Sequence, residues 1–472
     1  MTEFETRFGL ERAEWRKILQ AALSRGGDFA DLYFEYRVYN LVNLEEDIVK
    51  ETAEAVSLGL GIRVNAGEKT GFAYVNELTL DKIMGAARSA AAIASGPGIA
   101  KIPRLRTVRA RHSAYTAATP LHAVDLQARI ALAQEAYTAC RRRSHRLKKT
   151  KALYQDSIQY VTIVNSEGLV AHEARPMAKL ACYAVAEKDG RRESGYSGGG
   201  GRVGLEYFRD VLTPETIGRE AADEAMRLLG AAEAPAGEMP VVLAPGHSGV
   251  LVHEAVGHLL EADFNRKKTS VFWDKLGKKV GSPLLTIYDD PTIPAFRGSY
   301  DIDDEGTPAS KTLLIDRGVV SGFLQDRLSA RLMRLPTTGH GRRQDYACIP
   351  LPRMANTFVE KGEHLPEDII RSVARGIYAE KYEGGQVEDS GKFTFSISSG
   401  YLIEDGRLTA PIRQATLIGT NIDILQKIEM VGNDVAFSMQ TGTCSKEGQD
   451  VPVGDGCPTI KISRMTVGGK GQ

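Results

Sequence analysis

The spacing of hydrophobic residues divides the first half of the chain into helices and strands. Apolar residues recur at helical spacing over residues 10–25, and this segment ends before Gly26-Gly27. Strand-like runs separated by Gly and Asn signals follow it. The predicted strands are LYFEYRVYNLVNLE, AVSLGLGIRVNA, TGFAYVNEL, and runs near YQDSIQYVTIVNSEG and VAHEARPMAKLACYAVAEKDG. The predicted helices are LDKIMGAARSAAAIAS, VDLQARIALAQEAYTACRRRS and TPETIGREAADEAMRLLGAA.

A segment rich in Ala, Pro and Gly at 231–240 marks the main predicted domain boundary. After it, MPVVLAP predicts a buried strand that leads into a helix, and most of the remainder consists of short β-prone runs between Gly, Pro and Asp turns. We therefore predict an α+β chain with an N-terminal α/β domain over 1–235 and a β-rich, barrel-like domain over 236–472. The polar, irregular stretch 103–120 indicates a candidate sub-boundary near 100–120.

Composition and charge exclude several classes of protein. The 472 residues include 60 Lys+Arg and 60 Asp+Glu, so nothing indicates binding to nucleic acid. The one strongly basic run, 141–149, follows a predicted helix, and we interpret it as solvated surface. Five cysteines without a CxxC pair favour a reducing compartment. The sequence has no apolar signal core at its N-terminus and no run of 18 apolar residues. We therefore expect a soluble cytoplasmic protein that does not enter a membrane.

Two further motifs are weak. The glycine run 198–204 contains a formal GxGxxG pattern, but no clear helix follows it, so we predict a flexible loop rather than a dinucleotide site. The acidic run Asp301-Ile-Asp303-Asp304-Glu305 resembles a calcium loop, but Thr312 stands where an EF-hand needs a bidentate carboxylate. We predict that this run is a solvated turn, with an active-site loop as the alternative.

The strongest chemical signal is the segment Val252-His253-Glu254-Ala255-Val256-Gly257-His258. Two histidines and a glutamate among apolar residues are costly to bury without partners, and binding of a metal would explain them. In the HExxH helix of zinc peptidases the histidines are at i and i+4, whereas here they are at i and i+5. A regular α-helix would turn them about 140° apart. We therefore predict a π-turn or a helix loosened at Gly257, where glycine permits the distortion.

A catalytic zinc takes three protein ligands, and spacing alone leaves the third one open. Asp263 lies five residues further along the same predicted helix, and His247 precedes the helix and is expected outside the site. Cys444 in a glycine-containing loop and Cys457 at the start of a strand-like run are the thiolate candidates. An alternative interpretation of the segment is that two ordinary histidines lie on a buried helix.

Glu254 is the predicted general base. It adjoins a candidate ligand, and a carboxylate in that position can take the proton from the attacking water, whose pKa zinc lowers toward about 7. A simple ion-pair partner is the alternative role for Glu254.

The same site chemistry also fits a hydrolase that acts on a non-peptide amide, and a metal-stabilised regulator or scaffold without catalysis is a third hypothesis.

These motifs together resemble the PmbA/TldD family, and specifically its TldD branch. The resemblance is carried by HEAVGH with the downstream Met439-x-Thr-Gly-x-Cys444 segment, and it extends over residues of about 195–460. The other matching stretches are Ser197–Arg202, Ile302–Pro308, Gly341–Arg343, Pro352–Met354, Tyr401–Glu404 and Ala415–Gly419. One position departs from the pattern, because His340 stands where Asn is expected.

The resemblance implies a zinc peptidase, with its catalytic domain in the C-terminal half, that acts on unstructured peptides or peptide precursors. It implies that His253, His258 and Cys444 bind one zinc ion per chain, with Glu254 catalytic, and so favours Cys444 over Cys457. It also implies a dimer, either with a PmbA/TldE-type subunit that lacks the metal motif or with a second copy of this chain.

Overall fold

The computed structural model describes residues 3–97, 101–108, 114, 115, 117, 119–388, 390–439 and 442–469. Its helices are α1 Glu3–Phe8, α2 Arg12–Ala22, α3 Leu80–Ala91, α4 Leu126–Arg141, α5 Tyr207–Asp210, α6 Pro214–Leu229, α7 Gly249–Val252, α8 Ala262–Arg266, α9 Arg327–Met333, α10 Pro366–Arg371 and α11 Asn421–Gln426. The strands of the first half are β1 Phe29–Glu45, β2 Ile48–Ala66, β3 Lys69–Val75, β4 Arg106–Val108, β5 Leu147–Asn165, β6 Leu169–Lys188 and β7 Arg191–Gly201. Within the described residues, no helix is long and apolar enough to cross a membrane.

The strands of the second half are shorter. They are β8 Ala232–Glu233, β9 Gly237–Leu243, β10 Ile287–Asp289, β11 Thr312–Asp316, β12 Val319–Val320, β13 Gly341–Arg342, β14 Leu351–Pro352, β15 Asn356–Val359, β16 Arg375–Val387, β17 Lys392–Glu404, β18 Arg407–Arg413, β19 Ala415–Thr420, β20 Ile428–Val431, β21 Ala436–Phe437, β22 Thr443–Lys446, β23 Gln449–Pro452, β24 Gly454–Cys457 and β25 Ile460–Gly468.

The first seven strands form one sheet with the order β3-β2-β1-β5-β6-β4, and β7 pairs with β6. Helices α2 and α3 pack on one part of it, and α4 and α6 on another. The helix starts follow from the sequence: the side chain of Asp125 caps α4, and Thr213 caps α6 directly before Pro214. The helices and strands predicted for the first half of the chain are therefore confirmed.

The second half is built around a closed barrel of five strands. Strands β16, β9, β25, β19 and β17 pair in this order, and β17 pairs back to β16. A second sheet has the order β12-β11-β10-β15-β24-β21, and the segment that begins with α7 packs into the shared core. The predicted α+β class with a barrel-like C-terminal half is confirmed. The boundary between 235 and 236 stays a prediction.

The glycine run is a strand, so the prediction of a flexible loop is wrong. Residues 198–201 belong to β7, which pairs with β6 in an antiparallel register. A Cβ at Gly200 would lie 2.0 Å from the Ala178 carbonyl oxygen, and one at Gly201 would lie 2.2 Å from the Ala295 carbonyl oxygen. The glycines therefore allow close packing of backbone against backbone.

The acidic run is buried, so the prediction of a solvated turn is also wrong. Glu305 is fully buried and pairs with Arg63 of β2 at 2.7 Å, while Asp304 accepts from Arg175 of β6 at 2.5 Å. Ile302 packs on the same sheet. The run therefore fixes the second half of the chain to the first sheet through ion pairs that the local sequence does not reveal.

Candidate metal centre

The helical segment that carries the two histidines is irregular, as the sequence predicts. Helix α7 continues into a π-turn over His253–Gly257 and then into a 3-10 turn over His258–Leu260. The additional residue of a π-turn brings positions i and i+5 to one face of the helix. The two imidazole ring centroids consequently lie 5.2 Å apart, with their planes at 85°.

Close packing and one side-chain hydrogen bond hold the π-turn. Gly257 has ordinary helical angles, φ −55° and ψ −57°. The π-turn therefore does not depend on the backbone freedom of glycine, contrary to the prediction from the sequence. A Cβ at this position would instead lie 1.9 Å from Sδ of the buried Met354. The side-chain amide of Asn421 donates to the Ala255 carbonyl oxygen at 3.1 Å, inside the π-turn.

We expect Gly257→Ala to destabilise the protein by about 1–3 kcal/mol, because the added methyl group overpacks the contact with Met354. Denaturant unfolding measures the change. Gly85→Ala is the matched control, since Gly85 lies in α3 with open space at its Cβ position, and alanine is a better helix former. The same Gly257→Ala change made in a Met354→Ala background should destabilise the protein less. An equal loss of stability in both backgrounds would contradict the packing argument.

The structure brings three candidate ligands together. His253, His258 and Cys444 each contribute one ligand atom, and these three atoms lie within 4.8 Å of one another. Cys444 Sγ is 3.2 Å from His258 Nε2. A tetrahedral zinc site with metal–ligand bonds of about 2.0–2.3 Å holds its ligand atoms about 3.3–3.8 Å apart. The three donors therefore fit such an ion with small side-chain adjustments, and two imidazoles with one thiolate suit zinc.

The electrostatics of Cys444 favour the form that binds a metal. Burial raises the pKa of its thiol, but His258 and His253 outweigh burial and hold this pKa well below its usual value. A metal ligand must be the thiolate. Cys457 lies elsewhere: it is buried at the end of β24, and its Sγ donates toward the Ala244 carbonyl oxygen at 3.5 Å.

A buried carboxylate orients His258. Glu261 Oε2 lies 3.2 Å from His258 Nδ1, which leaves Nε2 facing Cys444. Lys446 Nζ contacts Glu261 at 2.9 Å and Asp263 at 2.8 Å, so Asp263 is engaged in an ion pair rather than in the ligand cluster. Burial raises the pKa of Glu261, but Lys446 and His258 lower it to about 2. Such outer partners fix the orientation of a metal-binding imidazole.

Sequence reasoning missed Glu261 and Lys446, although a weak signal existed for each. Glu261 lies three residues after His258, which is one helical turn. Lys446 lies two residues after Cys444, on the same side of a strand. Neither spacing alone distinguishes these residues from ordinary surface charges.

Glu254 is placed at the open side of the cluster. Its Oε2 is 3.8 Å from His258 Nε2, and 26% of its side chain is exposed. By contrast, His253 and Cys444 are each 4% exposed. The Glu254 carboxylate is therefore both close to the buried donor atoms and partly accessible to solvent.

Two other histidines have different surroundings. His247 accepts a hydrogen bond at Nδ1 from the Tyr382 backbone at 3.4 Å, and it is not part of the ligand cluster. His340 is fully buried, with Nε2 2.9 Å from Asp289 and Nδ1 2.9 Å from Thr338. Because both its ring nitrogens face neighbouring side chains, His340 has a packing role in the core.

Sequence models of three domains match almost the whole chain. They are described as PmbA/TldA metallopeptidase domain 1 over 30–94, the central domain over 119–229 and the C-terminal domain over 236–469. The ligand cluster and the closed barrel both lie within the last of these ranges. The class of protein is therefore a metallopeptidase.

Relatives and solved structures narrow this class to a family. The chain is 43% identical to a metalloprotease TldD homolog of Haemophilus influenzae, over 94% of each chain. It is 34% identical to a metalloprotease of Methanocaldococcus jannaschii, over 91% of this chain and 95% of the relative. TldE from Thermococcus kodakarensis has a similar fold, with a TM-score of 0.74 at 19% identity over 93% of this chain and 97% of that one. A putative modulator of DNA gyrase from Thermotoga maritima has a TM-score of 0.78 at 23% identity, over 99% of each chain. The chain belongs to the PmbA/TldD family of metallopeptidases.

Proposed function

We propose that this chain is a zinc-dependent peptidase that hydrolyses peptide bonds in unstructured peptides or peptide precursors. In this proposal His253, His258 and Cys444 are the zinc ligands, and Glu254 is the catalytic base. The observation that carries the proposal is the cluster of two imidazoles and one thiol with a carboxylate at its open side. A regulator or scaffold stabilised by a structural metal would have no use for that carboxylate.

The side chains divide the proposed reaction between them. Zinc, when bound, supplies a Lewis acid that polarises the scissile carbonyl and makes water a nucleophile near neutral pH. Glu254 takes a proton from the attacking water at its carboxylate and passes it to the leaving amine. Glu261 holds His258 Nδ1, so that Nε2 stays turned toward the cluster. Lys446 holds Glu261 in turn.

The recessed position of the cluster supports an unstructured substrate. His258 has 17% of its side chain exposed, and the other two candidate ligands are almost completely buried. The surface of a folded protein cannot reach such donors, whereas an extended chain can enter. Efficient cleavage of a tightly folded protein would contradict this part of the proposal.

We also propose that the chain acts as a dimer, with a TldE-type subunit or with a second copy of itself. The similarity of its fold to that of TldE supports the first arrangement. We propose a cytoplasmic location, supported by the cysteines: all five lie in the described part of the chain, and none of them forms a disulfide.

The proposal predicts that the purified protein contains about one zinc ion per chain and cleaves a short unstructured peptide. A chelator should remove both the zinc and the activity, and added zinc should restore them, because the thiolate and imidazoles bind the ion reversibly. Metal analysis and peptide mass spectrometry measure the two quantities. A protein without zinc would overturn the proposal. Zinc without hydrolysis, also after addition of a TldE-type subunit, would favour the structural-metal alternative.

A further inference from the structure

A cavity of about 320 Å³ lies against the β22–β23 hairpin that presents Cys444. Its walls contain six arginines, Arg37, Arg175, Arg202, Arg297, Arg342 and Arg343. Three aspartates also line the cavity, so the guanidinium groups outnumber the carboxylates two to one. We call this cavity the arginine pocket. Its volume is at the lower end of the range for ligand sites, enough for one side chain or one chain end.

Two of the six arginines are neutralised by the protein itself. Arg175 pairs with Glu173 at 2.6 Å and with Asp304 at 2.5 Å, and its third nitrogen donates to the Ile302 carbonyl oxygen. Arg343 Nη2 lies 3.7 Å from Asp31. These two belong to the buried network that fixes the acidic run to the first sheet.

Three others lack such partners. In the described part of the chain, Arg202, Arg297 and Arg342 donate to uncharged acceptors, and none of them forms an ion pair with a carboxylate. Their acceptors are the Ser299 carbonyl oxygen at 2.9 Å, the Gly442 carbonyl oxygen at 2.8 Å and the Pro452 carbonyl oxygen at 2.8 Å.

Arg37 interacts electrostatically with the Glu35 carboxylate but forms no ion pair with a carboxylate among the described residues. It lies on β1 at the wall of the pocket, and its buried Nε has no hydrogen-bond partner among the described residues. A buried charge without a counter-charge is costly and is retained where a ligand supplies the opposite charge. Burial and Arg202 lower the pKa of Arg297 to about 10, and burial with Arg175 and Arg342 outweighs the opposing effects of Tyr115 and Glu173 and lowers that of Arg202 to about 10. The pocket therefore has positive charge that the protein leaves unbalanced.

The position of the pocket relates it to the metal centre. Thr443, which precedes Cys444, lines the pocket, and so does Val451, the cross-strand partner of Cys444. Arg297 Nη2 donates to Thr443 Oγ1 at 3.3 Å. Neighbouring residues along a strand are about 3.3 Å apart, and cross-strand partners are about 5 Å apart. These spacings place the pocket beside the hairpin that carries Cys444.

We propose that the arginine pocket binds a carboxylate of the peptide substrate, supplied by its C-terminus or by an aspartate or glutamate side chain. Guanidinium groups bind carboxylates through paired, charge-assisted hydrogen bonds, which makes this the ligand chemistry that fits the four arginines without an ion-paired carboxylate. The inference rests on the proposed peptidase function, because it assigns a specificity to the same site.

Binding to an inactive variant tests the inference without relying on hydrolysis. Zinc-loaded Glu254→Gln protein is titrated in a calorimeter with three short unstructured peptides of Ala, Ser and Gln. The first has a free C-terminus, the second has a C-terminal amide, and the third is the amide with one Gln replaced by Glu. A carboxylate in the pocket should tighten binding by about 10- to 100-fold over the uncharged amide. The first peptide reports the chain end as the source, and the third reports the side chain.

Arginine variants locate the effect. Arg37→Gln and Arg297→Gln, each added to the inactive variant, should remove most of the advantage of the charged peptide over the amide. Arg88→Gln, at an exposed position on α3, is the matched control and should keep the advantage. Because Arg297 contacts Gly442 and Thr443, zinc content is measured for that variant too.

Three results would overturn the inference. They are equal affinity for all three peptides, no binding of any of them, and an advantage of the charged peptide that survives both arginine changes. A failure of the proposed peptidase function gives a different result. In that case the wild-type protein binds a peptide in the pocket but never cleaves it.

Discussion

Glu254→Gln should lower kcat/KM for an unstructured peptide by about 10²- to 10⁴-fold, the usual contribution of a positioned general base. The amide has nearly the shape of the carboxylate but cannot accept the proton of the attacking water. Zinc content should not change, because Glu254 lies 3.8 Å from His258 Nε2 and is not one of the three clustered donors. Steady-state cleavage and metal analysis of the same preparation measure both quantities.

The comparison needs a variant with the same chemical change in a neutral position. Glu363→Gln serves this purpose, because Glu363 is exposed before α10 and remote in sequence from the cluster. It should retain wild-type activity. If Glu254→Gln also cleaves peptides at the wild-type rate, the base is another group. Loss of zinc together with activity would assign Glu254 to metal binding instead.

The geometry of the histidine segment was predictable because it depends on neighbours in sequence. The separation of His253 and His258 by five residues is incompatible with a regular α-helix that binds one ion, so the spacing itself predicts a π-turn or a loosened helix, and the structure has the π-turn. The reason for Gly257 was not predictable in the same way. Its packing partner Met354 is almost a hundred residues away, and local backbone preference suggested a different explanation.

The third candidate ligand shows the same limit. Cys444 and Cys457 both occur near glycines, and spacing did not distinguish them. Only pairing between β22 and β23 turns Cys444 toward His258, whereas Cys457 ends β24 against Ala244. Family resemblance favoured Cys444 because it carries information about tertiary neighbours that one sequence pattern lacks.

The two errors in interpreting motifs have a common cause. Charged and glycine-rich runs usually indicate solvent and flexibility, but here each run meets a partner that reverses the expectation: a distant arginine for the acidic run and the preceding strand for the glycine run. Glu305 is buried because Arg63 neutralises it, and Gly200 lies in a strand because β6 pairs with it. Compensation by residues more than a hundred positions away, as for Glu305 and Arg63, leaves no local signal.

The buried cation beside the metal centre leads to the second large expected effect. Lys446→Met should reduce the free energy of unfolding by about 3–5 kcal/mol, because it leaves two buried carboxylates without their common partner. Lys446 Nζ contacts Glu261, Asp263 and the Pro352 carbonyl oxygen, all within 3.2 Å. Burial lowers the pKa of Lys446, but Glu261 and Asp263 outweigh burial and raise it, so the side chain is charged.

The same change should weaken zinc binding by about 10- to 100-fold, since Glu261 orients His258 and loses its own anchor. Denaturant unfolding and competition with a zinc chelator measure the two effects. Lys427→Met is the control, because Lys427 forms a half-exposed i,i+4 pair with Asp423 and should change stability little. Adding Asp263→Asn to Lys446→Met should restore part of the stability, because one of the two carboxylates that lost Lys446 is then removed. If Lys446→Met costs no more than Lys427→Met, the ion pairs do not support the metal centre, and the orientation of His258 must depend on the helix alone.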